Sequence, residues 1–206
     1  MPSLLALARR ALRRVAPARL RATFRPASTL LVAVALLILA SPSLAASAAL
    51  PDNLDTSRIL STYEELQVED LEGHTWSARE LDGKVVLVDF WATWCIPCRA
   101  EFPHLSEAYT RFADAGFEIL GVSLDTLERE RVQTFVDREG LQWPQVHDPS
   151  GLGGPLAEGF GVVFLPRSYL FDSDGRLVGV DLRGRALLDA LEQLMPRSTA
   201  ERRDDG

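Results

Sequence analysis

Two cysteines occur in this 206-residue chain, three residues apart in Trp94-Cys95-Ile96-Pro97-Cys98, directly after the apolar run Val85 to Trp91. Positions i and i+3 share one face of a helix, so the two sulfurs can close an intramolecular disulfide and exchange an electron pair with another thiol or disulfide. If Cys95 opens the helix, its sulfur meets unpaired backbone N–H groups and the positive end of the helix dipole, which favour thiolate over thiol. Cys95 is therefore expected to be the exposed nucleophile. Cys98, one turn on and shielded by the helix, is expected to resolve. Pro97 falls in the first turn, where its missing N–H costs nothing. The sulfurs carry the electrons, so this chemistry calls for no cofactor. A structural zinc needs four ligands; there is no second cysteine pair, and His74 and His147 are remote from His104, so all three histidines read as surface residues.

Asp89 lies six residues before Cys95 inside an otherwise apolar strand. Burying a carboxylate there is costly unless it is protonated or used. Glu101, three residues beyond Cys98, is either a compensator of the helix dipole or a second acid beside the dithiol.

The segment Trp94 to Pro103 resembles the TlpA/ResA-like branch of the thioredoxin superfamily, and the resemblance runs from about Tyr63 to Met195. It is supported by Gly121-Val122-Ser123-Leu124-Asp125 at a strand end, and by Pro166 before a strand with an acidic-Gly hairpin ending at Gly175. The family implies a thiol-disulfide oxidoreductase in which Asp89 accepts the proton of Cys98 through water and Glu101 tunes both thiols. It also implies a cis bond at Pro166, where the backbone of Leu165 pairs with a bound substrate chain. Trp94, Ile96, Pro97, Leu165 and Pro166 are the expected substrate contacts. Trp91 and Trp94 are expected to pack, Trp94 also shielding the disulfide. Leu165 departs from the family, which usually has Thr or Val there.

The implied fold is α/β: a thioredoxin-like central mixed sheet flanked by helices, with an N-terminal hairpin and a central strand-helix insertion. Leu66 to Glu69 and His74 to Trp76 read as the hairpin and Val85 to Trp91, apolar on both faces, as a central strand. Cys95 to Ala115 reads as the active-site helix, kinked at Pro103. Phe117 to Leu124 is the next strand and Glu128 to Glu139 the next helix, with Val132, Phe135 and Val136 on one face. Trp143 to Val146 and Leu152 to Phe160 correspond to the insertion, Ser168 to Phe171 and Leu177 to Asp181 to the last hairpin, and Ala186 to Met195 to the closing helix.

Seven arginines up to Arg25 supply every charge before Asp52, leaving 15 basic against 29 acidic residues in the remainder, net −14. Nucleic acid and anionic lipid are excluded as partners of the folded part; a neutral or basic protein surface fits. The run from Thr29 to Ala40, apolar apart from Thr29 itself and followed after Pro42 by small residues, reads as an export signal or a retained membrane anchor over residues 1–50. Its core of about 12 residues is short of the ~20 that span a bilayer, but an extension to Leu50 reaches that length. Either reading puts the domain outside the cytosol. Residues 51–62 are expected as linker, 63–195 as the domain and 196–206 as a flexible tail.

The expected activity is reduction of disulfides in protein substrates by a monomer. The resemblance implies apocytochrome c or copper-centre assembly proteins as substrates, and a membrane electron donor of the thiol-reducing type. A peroxiredoxin would need proline and threonine where Val88 and Ala92 stand. A Sco-type copper chaperone would need three residues between its cysteines and a distal histidine. A disulfide-forming oxidase or isomerase remains the main alternative, because the same scaffold runs either way with its potential.

Overall fold

Every residue of the strand Val85–Trp91 is buried, as its apolar sequence requires, and the rest of the domain is arranged around it. The computed structural model describes residues 50, 51 and 53–195. The expected export signal or anchor and the C-terminal tail lie outside the described residues. Among those described, no helix is long and apolar enough to cross a membrane.

In chain order the elements are α1 (Thr56–Glu64), β1 (Gln67–Glu69), β2 (Thr75–Ser77), α2 (Ala78–Leu81), β3 (Val85–Trp91), α3 (Ile96–Phe112), β4 (Phe117–Ser123), α4 (Arg129–Glu139), β5 (Gln145–His147), α5 (Pro155–Phe160), β6 (Arg167–Phe171), β7 (Leu177–Val180) and α6 (Arg185–Leu194). Strands β1 and β2 form the entry hairpin, and the other five form a sheet in the order β5-β4-β3-β6-β7. Strand β3 runs parallel to β4 and antiparallel to β6, so the sheet is mixed.

The two-residue period of β3 sorts its side chains between two apolar layers. Val86, Val88 and Phe90 join Ile59, Tyr63 and Phe160 on one face. Val85, Leu87 and Trp91 join Phe102, Phe135 and Leu191 on the other, the layer that also contains Cys95 and Cys98. Asp89, in phase with Leu87 and Trp91, is therefore turned toward the dithiol layer.

Residues 56–64 form α1 rather than linker. The Asp55 carboxylate caps the helix by accepting the N–H of Arg58 at 3.1 Å. Ile59 and Tyr63, one turn apart, are buried, and the Tyr63 ring stacks on Phe171 with centroids 3.9 Å apart. Only Leu60, Ser61 and Thr62 separate these two anchors, and the short helix offers no second apolar repeat to mark its pattern in the sequence.

The four-residue helix α2 was not expected either; the remaining differences are at element ends. Helix α3 stops at Phe112, and a single 3₁₀ turn leads to Gly116, whose φ of 99° ends it. Pro103 lies within α3 as expected and leaves the Arg99 carbonyl without its usual i+4 donor. The expected helix from Leu152 divides into a 3₁₀ turn and the short α5, because Gly154 and Pro155 supply a new N-cap and first position. Strand β5 begins two residues later than expected, with Trp143 buried ahead of it.

Candidate active site

Cys95 is the N-cap of α3, and Cys98 is its third helical residue. They form a disulfide with Cα atoms 5.3 Å apart. The Cys98 N–H also points at the Cys95 sulfur, at 3.2 Å. An N-cap atom receiving an orphan N–H carries negative charge well, so the geometry gives Cys95 the stabilised thiolate once the pair is reduced. The expectation that Cys95 would be exposed needs correction. In this oxidised form Cys95 and Cys98 are 4% and 2% exposed, because both sulfurs tuck beneath the first turn into the apolar layer. Helix position, not exposure, distinguishes the two thiols.

The rim is apolar. Ile96 is 76% exposed and Trp94 62%. Trp94 therefore does not pack as expected; it projects from the turn between strand and helix, while Trp91 fills the core and donates its indole N–H to Gln145 Oε1 at 3.0 Å. Pro97 is also exposed beside the cysteines. Across from them the Leu165–Pro166 bond is cis, and Leu165 packs partly buried against the layer holding the cysteines. Val163 and Phe164 ahead of it are largely exposed, an apolar pair that the sequence signals only as an apolar run before a proline.

Asp89 is buried beneath the site. Loss of water pushes its pKa up to about 7; the charge of Arg183 pulls it back, and the negative charges of Glu101 and Asp181 raise it. A carboxyl titrating near neutrality can hold or give up a proton in the range where thiols exchange. Glu101 lies half-buried one turn beyond Cys98. Its Oε2 accepts the N–H of Gly184 at 3.0 Å and stands 3.6 Å from His104 Nδ1. The structure thus brings Asp89, Glu101, both cysteines and the proline loop into one locality, with Glu101 anchored to the turn before α6.

Several polar residues of the site escaped the sequence reading. Asp125 is fully buried and accepts the Thr93 N–H at 2.8 Å, the Thr93 hydroxyl at 2.7 Å and the Ser123 hydroxyl at 2.8 Å. It thereby fixes the turn that delivers Cys95 to the helix start. Its signal was an acid ending the apolar β4 run. His147, expected on the surface, is half-buried with Nε2 2.9 Å from the Asp125 carbonyl oxygen. Arg167, Asp181 and Arg183 form an ion-paired group behind Pro166, with Arg167 to Asp181 at 2.8 Å and Arg183 to Asp181 at 3.3 Å. No spacing rule in the sequence points to them.

A mixed sheet with a redox disulfide at the start of the helix that follows its central strand, and a cis-proline immediately before the strand paired antiparallel with that central strand, defines a thioredoxin-fold thiol-disulfide oxidoreductase. Within that class, the chain belongs to the AhpC/TSA family, whose profile matches residues 60–180. Among curated relatives, thiol-disulfide oxidoreductase ResA of Bacillus thuringiensis subsp. konkukian is 33% identical over 132 residues, spanning 64% of this chain and 73% of that protein. ResA of Halalkalibacterium halodurans is 40% identical over 117 residues, 57% of this chain and 64% of the relative. Among solved structures, the thioredoxin domain of a thiol-disulfide oxidoreductase from Bacteroides vulgatus matches with a TM-score of 0.58 and 34% identity, covering 63% of this chain and 92% of that one. A thiol:disulfide interchange protein from Bacteroides sp. matches with a TM-score of 0.57 and 32% identity over 68% of this chain and 91% of its own.

Proposed function

We propose that this oxidoreductase works outside the cytosol as a reductant of disulfides in polypeptides. The observation that carries the reading is the exposed apolar pair Trp94 and Ile96 flanking the disulfide, with Val163 and Phe164 exposed in the segment that leads to the cis Leu165–Pro166 bond. Such an apolar surface suits an extended peptide with apolar side chains better than a small polar disulfide. Trp94, Ile96, Pro97, Leu165 and Pro166 are the proposed substrate contacts.

In the proposed cycle the Cys95 thiolate attacks one sulfur of the substrate disulfide, forming a mixed disulfide and releasing the other substrate sulfur as thiolate. Cys98 then passes its proton to Asp89, the carboxylate acting as base, and attacks Cys95 Sγ. The second substrate thiolate leaves as the Cys95–Cys98 disulfide forms, so two electrons have moved to the substrate. Two electrons from a membrane donor of the thiol-reducing type restore the dithiol. The arginine-rich start and apolar run before Leu50 support export or anchoring, and the acidic remainder of the chain suits a neutral or basic protein partner. The resemblance carried by the segment Trp94 to Pro103 makes apocytochrome c, and then copper-centre assembly proteins, the substrates to test first.

Equilibration with glutathione measures direction: a reductase has a potential below about −200 mV, and a value near −120 mV would make the protein a disulfide-forming oxidase instead. Fractionation with N-terminal sequencing of the mature chain tests location. Full-length protein recovered soluble from the cytosol with both thiols reduced overturns the export reading.

A further inference from the structure

One turn, residues 181–184 between β7 and α6, is bonded both to the cis-proline segment and to the active-site helix. Asp181, with φ 54°, donates its N–H to the Ser168 carbonyl at 2.9 Å and accepts the Ser168 N–H on Oδ1 at 3.1 Å. Its Oδ2 accepts from Arg167 at 2.8 Å. Arg183 donates through one nitrogen to the Pro166 carbonyl oxygen at 2.9 Å and to Asp181 Oδ1 at 3.3 Å. Gly184, the N-cap of α6, donates its N–H to Glu101 on α3. The turn thus grips the cis-proline loop on one side and the active-site helix on the other. Ser168 lies directly opposite Asp89 in the β3–β6 ladder, so its side chain shares the face on which Asp89 is buried.

The charged groups that face Asp89 are Arg183 and Asp181 from this turn and Glu101 from α3. Arg183 alone of the three is positive. A carboxylate in an apolar layer, with two like charges nearby, persists only with a compensating cation. We propose that Arg183 is a positioning residue for the thiol chemistry: it holds the proline loop through the Pro166 carbonyl and presents the positive charge that lets Asp89 stand as a carboxylate beside Cys98. The proposal rests on the reading of Asp89 as proton acceptor. It joins two roles in one side chain, the placing of the substrate loop and the setting of the base. A change in one is then felt by the other.

The test uses the reduced full chain and follows the rate of insulin disulfide reduction from about pH 5 to pH 9, where a general base near neutrality shows its limb. Loss of a nearby positive charge disfavours the carboxylate, so Arg183→Gln is expected to move the limb carried by Asp89 upward by about one pH unit. Arg183→Lys, which keeps the charge, should return the limb to its parental position. The double variant Asp89→Asn/Arg183→Gln should show the profile of Asp89→Asn alone. Asp181→Asn removes a negative charge from the same turn and should move the limb downward; with Arg183→Lys it carries the test if Arg183→Gln does not fold. A limb lost in Asp89→Asn but unmoved in the Arg183 and Asp181 variants overturns the role of Arg183 and leaves Asp89 as base. A shift by Arg183→Gln that persists without Asp89 overturns it as well. A profile indifferent to Asp89→Asn removes the proton-acceptor reading and the Arg183 proposal with it.

Discussion

The two walls of the active site are built on different principles. The cysteine wall is local: N-cap, first turn and both sulfurs come from four consecutive residues, held from below by Asp125 through the Thr93 N–H and hydroxyl. The facing wall is assembled at long range, from a proline loop, a strand hairpin and a helix N-terminus. Its Glu101–Gly184 contact joins residues 83 positions apart. In the proposed cycle the first wall supplies the nucleophile, and the second tunes the proton affinity of Asp89 and offers the substrate edge. Reactivity can therefore be removed in one step at the cysteine wall, whereas changes at the facing wall should tune it.

The sharpest break of this contrast is at the sulfurs. Cys95→Ser should abolish disulfide exchange. Cys98→Ser should keep attack but lose release, so that mixed disulfides through Cys95 accumulate and disappear on adding reductant. Trapping through Cys98 in the Cys95→Ser variant instead would reverse the roles and defeat the N-cap argument.

Next in size is Asp89. Replacement by Asn should slow resolution by roughly two orders of magnitude near neutral pH, in single-turnover measurements of substrate release. The same variant should be more stable than the parent at alkaline pH. With the carboxyl at about 7 in the folded oxidised protein against an ordinary value of 3.8, the folded state binds more protons between those limits. Stability is therefore lost as pH rises through that window, and the penalty is complete above it. Asp89→Asn should lift stability at about pH 8 by roughly 2–4 kcal/mol while leaving it near parental below pH 4, as read by denaturant unfolding at the two values.

Asp125→Ala tests whether the local wall needs its support. It leaves the Thr93 N–H, the Thr93 hydroxyl and the Ser123 hydroxyl without their acceptor, and should cost about 2–3 kcal/mol in unfolding free energy. Smallest of all is Trp94→Ala. The side chain is 62% exposed, so stability should change by less than about 0.5 kcal/mol, while KM for a protein disulfide rises and the rate with oxidised glutathione stays as in the parent. An equal loss with both substrates would mean that Trp94 serves the disulfide itself rather than the docking of a chain.

The residues themselves determined the dithiol, its place after an apolar strand, the acid at Asp89 within that strand and the proline at 166. Each rests on short spacing: i and i+3 on a helix, the period of two along a strand, and a proline at a strand start. Helix α1 escaped that reading because it is nine residues long and only Ile59 and Tyr63 are fully buried in it. Only the tertiary structure decided that Trp94 stands outward, that both cysteines are buried together, and that Arg183, Asp181 and Gly184 close the site from behind. The reason is physical: a thiolate at a helix start answers to neighbours in its own turn, whereas the proton affinity of a buried carboxylate answers to every charge brought near it. Those charges, on Glu101 and in the turn at 181–184, reach Asp89 only when the β7–α6 turn folds against α3 and the proline loop.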